Sequence, residues 1–303
     1  MRRGFSTSGT LNGLANALAA GWLLQLPSEK LAAARSIALT LIGGAMGGLR
    51  EGTWSKRLSA GRGAVSGLTA AMMAAEGMSE PLRPYEDDLG LYHMPVGPNA
   101  AVDWNAMTDG LGERWVFDRV AIKAFPLVYH AHDIVDGAIR LHCEDGVRPE
   151  DVESSAALVT EHQVPLLCQP KSQRCHPLND YASIFSVYYL IATALARGRM
   201  TLDERESDVL QDLVIRDLCD RIGYEIDPES LFPEYFSGGL VAKLCDGRTI
   251  RYYDRHYFSS DKRPMPPDMI VEKFRNNAGR IFGEDRVDAI IAAVMALRGG
   301  GSL

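Results

Sequence analysis

Residues 240–253, Leu-Val-Ala-Lys-Leu-Cys-Asp-Gly-Arg-Thr-Ile-Arg-Tyr-Tyr, decide the fold class. Leu240 to Cys245 reads as a strand, Asp246-Gly247 is a two-residue hairpin signal, and Thr249 to Tyr253 follows as its partner strand. Leu158 to Val164 predicts a further strand. Helical patterns lie around these runs: Ile134 to His142 has helical spacing, Ile184 to Ala196 is apolar and ends at Gly198, and Glu204 to Cys219 is amphipathic. The mixture predicts an α+β domain over residues 118–255.

Upstream the character changes. Leu11, Leu14, Leu18, Trp22 and Leu23 recur at helical spacing, and Pro27-Ser28-Glu29 signals the start of a second helix over Leu31 to Thr40, which Gly43-Gly44 and Gly47-Gly48 interrupt or end. A third helix is expected from Ser59 through Ala75, with Ala64, Leu68, Met72 and Ala75 on one face and Gly77 closing it. Small residues throughout this part predict closely packed helices. Residues 80 to 117 are rich in Pro, Gly, Asp and Asn and read as a loop-rich connection. After Pro264-Met265-Pro266-Pro267, Asp268 caps a helix to about Ile281, and Glu284 to Leu297 forms a last one. The expected organisation is a helical domain begun by residues 1–117, a smaller α+β domain over 118–255, and helices in 256–303 that return to the first part.

Of 303 residues, 23% are charged and the net charge is -7, which excludes a nucleic-acid partner held by an overall basic field. The longest apolar run, Leu31 to Leu49, carries Arg35 and several glycines and so falls short of the roughly 20 apolar residues a bilayer span needs. Met1-Arg2-Arg3 leads into polar Ser6-Thr7-Ser8 without the apolar stretch of a signal peptide, so a cytoplasmic chain is expected. Cys143, Cys168, Cys175, Cys219 and Cys245 are odd in number, far apart and without a C-x-x-C pair, and so support neither a disulfide framework nor a structural zinc site. Cys175-His176 near Cys168 lacks a fourth metal partner, and no metal is expected. Gly43-Gly44-Ala45-Met46-Gly47-Gly48 has neither the preceding strand nor the Lys-Ser/Thr ending of a nucleotide loop.

Two clusters carry candidate chemistry. Arg50, Lys56, Arg57 and Arg62 concentrate positive charge opposed only by Glu51, and Lys56 follows the turn-like Gly52-Thr53-Trp54-Ser55 just before a helix, where exposed backbone N–H groups also favour anions. At an effective dielectric near 20 and about 4 Å separation, each cation attracts a carboxylate by roughly 4 kcal/mol before desolvation. Two or three suit a polycarboxylate, although composition alone also allows a solvated charged turn. The second cluster is Lys123, Phe125, Pro126, His130 and His132, followed by Asp133 and Asp136. Histidine suits proton transfer near neutrality, and a satisfied loop histidine is the plainer alternative. Tyr188 and Tyr189 open the apolar helix after Ser186, where a phenol can donate to a substrate or anchor the core.

Several of these segments together resemble the MmgE/PrpD family, which includes 2-methylcitrate dehydratases, cis-aconitate decarboxylases and iminodisuccinate epimerases. Gly4-Phe5-Ser6-Thr7-Ser8-Gly9-Thr10 resembles the family's Gly-Phe-His-Pro-Thr-Gly-Thr, and Gly52-Thr53-Trp54-Ser55-Lys56-Arg57-Leu58 with Ala60-Gly61 resembles its Gly-Ser-Trp-Thr/Ser-Lys-Arg segment. Lys123-Ala124-Phe125-Pro126 with His132 resembles Lys-Pro-Tyr-Pro and the histidine six residues beyond. Ser186-Val187-Tyr188-Tyr189 resembles Ser-x-x-Tyr, and Arg263-Pro264-Met265 with Glu272-Lys273-Phe274-Arg275 fits a pattern near the family's last helix. The resemblance implies a large helical domain with an α+β lid and a site between them that uses no metal or organic cofactor. It also implies that Lys56, Lys123, His132 and Tyr189 are catalytic, with Arg57, Ser6 and Thr7 at the substrate.

Ser6 stands where the family motif has histidine, which removes a proton carrier. The chain also begins where the family already has a long helical section, so the helical domain is expected to be incomplete and its apolar surface covered by another chain in a homo- or hetero-oligomer. Two functions follow from the resemblance. One is a lyase (dehydratase or decarboxylase, with epimerisation an allied chemistry) acting on a small di- or tricarboxylate as the C-terminal subunit of a split enzyme. The other is a catalytically inactive relative that binds polycarboxylates or a partner.

Overall fold

A computed structural model describes residues 6–45, 47–49, 53–97, 100–115, 117 and 120–297. The chain divides into two compact units, Met1–Arg114 and Trp115–Leu303. Among the described residues no helix is long and apolar enough to cross a membrane.

The first unit is built on α1 (Thr7–Leu23), α2 (Ser28–Leu41) and α3 (Ser55–Ala75), followed by loops that include the short α4 (His93–Val96). Small residues let α1 and α3 touch backbone to backbone: a Cβ on Gly67 would stand 2.6 Å from the Ala17 amide nitrogen, and one on Gly63 would stand 2.8 Å from the Asn12 Cβ. The core is correspondingly fine-grained, with Ala17, Ala34, Ala38, Ala70 and Ala74 around Leu14 and Ile37. Lys30 closes α2 onto the last turn of α3 by donating to the Ala75 carbonyl at 2.5 Å. The expected face of the third helix is reversed. Gly63, Ser66, Gly67, Ala70, Ala71 and Ala74 are buried, whereas Leu68 and Met72 are 51% and 57% exposed. Close approach selects the positions without side chains, so the large apolar residues are left on the outside.

The second unit holds α5 (His132–Cys143), β1 (Val152–Val159), α6 (Lys171–Arg174), α7 (Asp180–Ser183), α8 (Val187–Arg197), α9 (Ser207–Leu210), α10 (Leu213–Asp220), β2 (Ile222–Ile226), β3 (Gly238–Leu244), β4 (Thr249–Asp254), α11 (Pro267–Ala278) and α12 (Glu284–Ala296). The strands form one mixed sheet in the order β2-β1-β3-β4, with β1 and β2 parallel and the other pairs antiparallel, so the fold is α+β. The hairpin stands where its sequence put it, with Leu240 opposite Tyr252. Its loop is three residues rather than two: the Leu244 amide donates to Arg248 O at 2.8 Å, and Gly247 takes a φ of +89° that suits a residue without a Cβ.

α5 lies on β3 and β4, where Gly137 brings it within a Cβ contact of Leu240 and Tyr252. α8 is buried on every side from Val187 to Leu195, packs between α5 and α10, and ends at Gly198 in the left-handed region. The Leu158–Val164 run is displaced: β1 occupies Val152–Val159, and Val164-Pro165 opens a π-helical turn. The Glu204–Cys219 run is broken at Asp212, whose carboxylate accepts from the Val214 and Ile215 amides and starts α10 as a separate helix.

Candidate active site

The segment from Lys123 to Asp133 folds around one imidazole. The Phe125 amide donates to His132 Nε2 at 3.3 Å, so the ring proton sits on Nδ1, which donates to the Tyr129 carbonyl at 3.1 Å. The ring lies beside those of Phe125 and Tyr129, 5.5 and 5.4 Å away, and is fully buried. Burial, with the Lys123 and Lys273 ammonium groups adding to it, pushes the imidazole down to about 3, so it is neutral at physiological pH. Both ring nitrogens are thus occupied, and His132 shapes the loop that presents Lys123.

Lys123 itself is exposed and donates to the Leu127 carbonyl at 3.0 Å. Lys273, from α11, reaches the Lys123 carbonyl, and burial lowers its ammonium from the usual lysine range. Two ammonium groups around one loop make a local positive site in an acidic chain, suited to a carboxylate. Lys273 is a candidate site residue that periodicity does not single out; its only signal is its place in Glu272-Lys273-Phe274-Arg275.

Tyr189 does not join this group through its hydroxyl. The phenol is buried and donates to the Glu204 carbonyl at 2.5 Å, and burial pushes it up to about 12. Ser-x-x-Tyr has a local meaning here: the Ser186 hydroxyl caps α8 by accepting from the Tyr189 amide at 3.0 Å and also donates to the Arg174 carbonyl.

A polar cluster the sequence did not reveal braces α5 from the other side. Asp133 accepts from the Phe258 amide at 2.7 Å, while Arg263 bonds Asp136 at 2.7 Å and Asp254 at 2.9 Å. Burial, reinforced by Asp254 and Asp136 and opposed by the Phe258 amide and Arg263, pushes Asp133 up to about 8. Arg263-Pro264-Met265 therefore ties the strand-helix layer to the start of the C-terminal helices. Within the second unit the segment after α11 also meets the loop before α9 through Arg280, which pairs with Asp203 and Glu206.

In the first unit, Lys56 and Arg57 stand exposed on the first turn of α3, with Arg57 over the Trp54 ring at 4.6 Å. The turn before them is held by Thr53, whose amide and hydroxyl donate to Gly48 O at 3.0 and 3.1 Å. Arg50, Glu51 and Gly52 lie outside the described residues, as do Gly4, Phe5 and the Thr7 side chain. Ser6 is buried and serves as the N-cap of α1: its hydroxyl accepts from Gly9 at 3.4 Å and its amide donates to Gly44 O at 2.8 Å. Lys123 and His132 are thus brought together on one loop, while the Ser6 and Tyr189 hydroxyls are engaged by backbone groups.

These features define an α+β protein with exposed cationic side chains on both units, Lys56 and Arg57 on one and Lys123 on the other. The chain belongs to the MmgE/PrpD family: residues 1–102 match its N-terminal domain and residues 125–298 its C-terminal domain. It is similar to the cis-aconitate decarboxylase of Homo sapiens, 24% identical over 98% of this chain and 61% of the relative. The cis-aconitate decarboxylase of Aspergillus terreus is 26% identical over 98% of this chain and 62% of its own length. The 2-methylcitrate dehydratase of Cupriavidus necator is 27% identical over 59% of this chain and 39% of that protein. The chain thus spans about three fifths of the length of the curated decarboxylases it matches.

Proposed function

We propose that the chain serves a lyase that acts on a small di- or tricarboxylate by dehydration or decarboxylation, its chemistry carried by side chains rather than by a cofactor. The observation that carries this reading is the exposed Lys123 ammonium, backed by Lys273 and held in place by the His132-centred loop, in a chain whose relatives are named for cis-aconitate and 2-methylcitrate. Dehydration and decarboxylation both build negative charge beside a carboxylate, which fixed ammonium groups stabilise. Epimerisation at such a carbon makes the same demand.

In this reading Lys123 grips one carboxylate of the substrate, and Lys56 with Arg57 grips another. Thr7 and Ser6 then lie at the substrate end of α1. His132 and Tyr189 enter as positioning residues, His132 through the amide of Phe125 and Tyr189 through the carbonyl of Glu204. The apolar side chains that α1 and α3 expose, Trp22, Leu58, Leu68 and Met72 among them, support a further helical section lying against them in a cytoplasmic homo- or hetero-oligomer. In the split-enzyme form of this reading, a second polypeptide supplies that section.

The test is consumption of cis-aconitate and 2-methylcitrate by the full chain, alone and as the complex purified from its own cells. Turnover of one of them is expected, with Lys123→Ala lowering kcat/KM by about 10² or more. A conservative exchange at a positioning site, His132→Asn, is expected to lower kcat more than it raises KM. The inactive-relative reading is favoured by one observation: Ser6 holds the position of a proton carrier with its hydroxyl used as a helix cap. Calorimetric binding of either acid without turnover supports that reading, and absence of both binding and turnover in the complex overturns both.

A further inference from the structure

The junction of α6 and α10 gathers three donors of different chemistry that no carboxylate reaction uses. Cys175, His176 and Asp220 present Sγ, Nε2 and a carboxylate oxygen all within 4.8 Å of one another. Asp220 Oδ1 is common to both contacts, 3.0 Å from His176 Nε2 and 3.4 Å from Cys175 Sγ. Asp220 supplies the ligand that the Cys175-His176 dipeptide lacked in the sequence, because the last residue of α10 is carried to the end of α6 only by the tertiary fold.

We propose that Cys175, His176 and Asp220 form a binding site for a divalent transition-metal ion, zinc in preference to magnesium or calcium, with water in the fourth position. Zinc takes sulfur at about 2.3 Å and nitrogen or oxygen at about 2.0 Å in a tetrahedron, which sets ligand atoms roughly 3.5 Å apart; Asp220 Oδ1 already stands 3.0 and 3.4 Å from the other two donors, and Sγ and Nε2 lie within 4.8 Å of each other. The mixture of thiol, imidazole and carboxylate suits zinc and disfavours the hard cations, which take oxygen. Access is provided for: Cys175 is buried, His176 is part-exposed and Asp220 is exposed.

The ligands are also braced. Lys171 donates to the carbonyls of Asp220 and Ile222, at 3.5 and 3.2 Å, and so ties α6 to the end of α10. Its ammonium lies 5.1 Å from the Tyr188 ring centre, and the neighbouring Arg174 carbonyl accepts from Ser186, the cap of α8. Binding forms the metal–sulfur bond and breaks the S–H bond, and that proton leaves to solvent, while the imidazole nitrogen and the carboxylate bind with their lone pairs. An occupied site therefore clamps α6, α10 and the start of α8 together.

Cobalt(II) reports the ligand set. The full-length chain, stripped of metal and titrated with Co2+, is expected to bind one ion with a thiolate-to-metal absorption band that Zn2+ abolishes, releasing about one proton per ion. Cys175→Ser and His176→Gln are each expected to weaken binding by at least about tenfold, Asp220→Asn by about tenfold, and Cys143→Ser, at an exposed thiol elsewhere, not at all. Circular dichroism checks each fold. If Cys175→Ser misfolds, the part-exposed His176→Gln decides. The proposal is overturned if no thiolate band forms, or if a band survives His176→Gln and Cys175→Ser or disappears in Cys143→Ser.

Discussion

α3 and α8 solve the same problem in opposite ways. α8 is enclosed on all sides and fills its surroundings with Tyr188, Leu190, Ile191 and Leu195, so its stability comes from apolar area removed from water, about 25 cal/mol per Å2. α3 buries glycine, serine and alanine, gains little transfer energy per residue, and relies on close backbone contact with α1. A cavity therefore harms the second unit most, and an added atom harms the first.

The sharpest way to break that contrast is a pair of substitutions of opposite sense. Ile191→Ala empties a fully buried site and should cost about 2–5 kcal/mol. Gly67→Ala adds one carbon against the Ala17 backbone and should cost about 1–3 kcal/mol, despite the higher helix propensity of alanine. Denaturant unfolding of both variants checks this, and a stabilised Gly67→Ala protein would refute the close-contact account of α3.

A second contrast, of intermediate size, lies within the second unit. His132 is held neutral in the fold, so its contribution is complete above the unfolded value of about 6.5 and is lost as pH falls toward 3. Asp133, next along the chain, is held protonated; its contribution is complete below about 3.9 and is lost as pH rises toward 8. Asp133→Asn keeps an oxygen for the Phe258 amide and removes the titration. Its melting temperature should stay level between about pH 6.5 and 8, where the parent declines by at least about 2 °C, while both share the loss below about pH 6.5 that His132 causes. Parallel profiles would show that Asp133 is ionised in the fold.

The smallest effect belongs to the outer face of α3. Leu68→Ser removes an exposed side chain and should change the stability of the isolated chain by no more than about 0.5 kcal/mol while reducing binding of a hydrophobic dye. A loss above about 2 kcal/mol would mean that face is already covered.

What the sequence reveals follows from how far each signal reaches. The β3–β4 hairpin and α8 are legible because their determinants are local: Gly247 for the turn, Ser186 and Gly198 for the two helix ends. The inward face of α3 is not, since a reading that looks for large apolar side chains sees Leu68 and Met72 and scores Gly63 and Gly67 as empty. The break at Asp212 was hidden because amphipathic spacing continues across it; only the aspartate, a good cap, marks the new helix. Lys123 and His132 were found as a pair by motif. The amide of Phe125 that occupies the imidazole, and the partnerships of Asp133 with Phe258 and Asp220 with Cys175, depend on tertiary contacts that no spacing reports.

The parallel pairing of β1 with β2 has a consequence for how the molecule assembles. Before β2 can align, the chain must close an excursion running through residues 160–221, whereas β3 and β4 meet across three residues. Loop-closure entropy makes the long excursion the slower event, so the hairpin precedes it. Tyr189, Glu204 and the α6–α10 corner all lie inside that excursion, and their geometry is therefore among the last to mature on the ribosome-released chain.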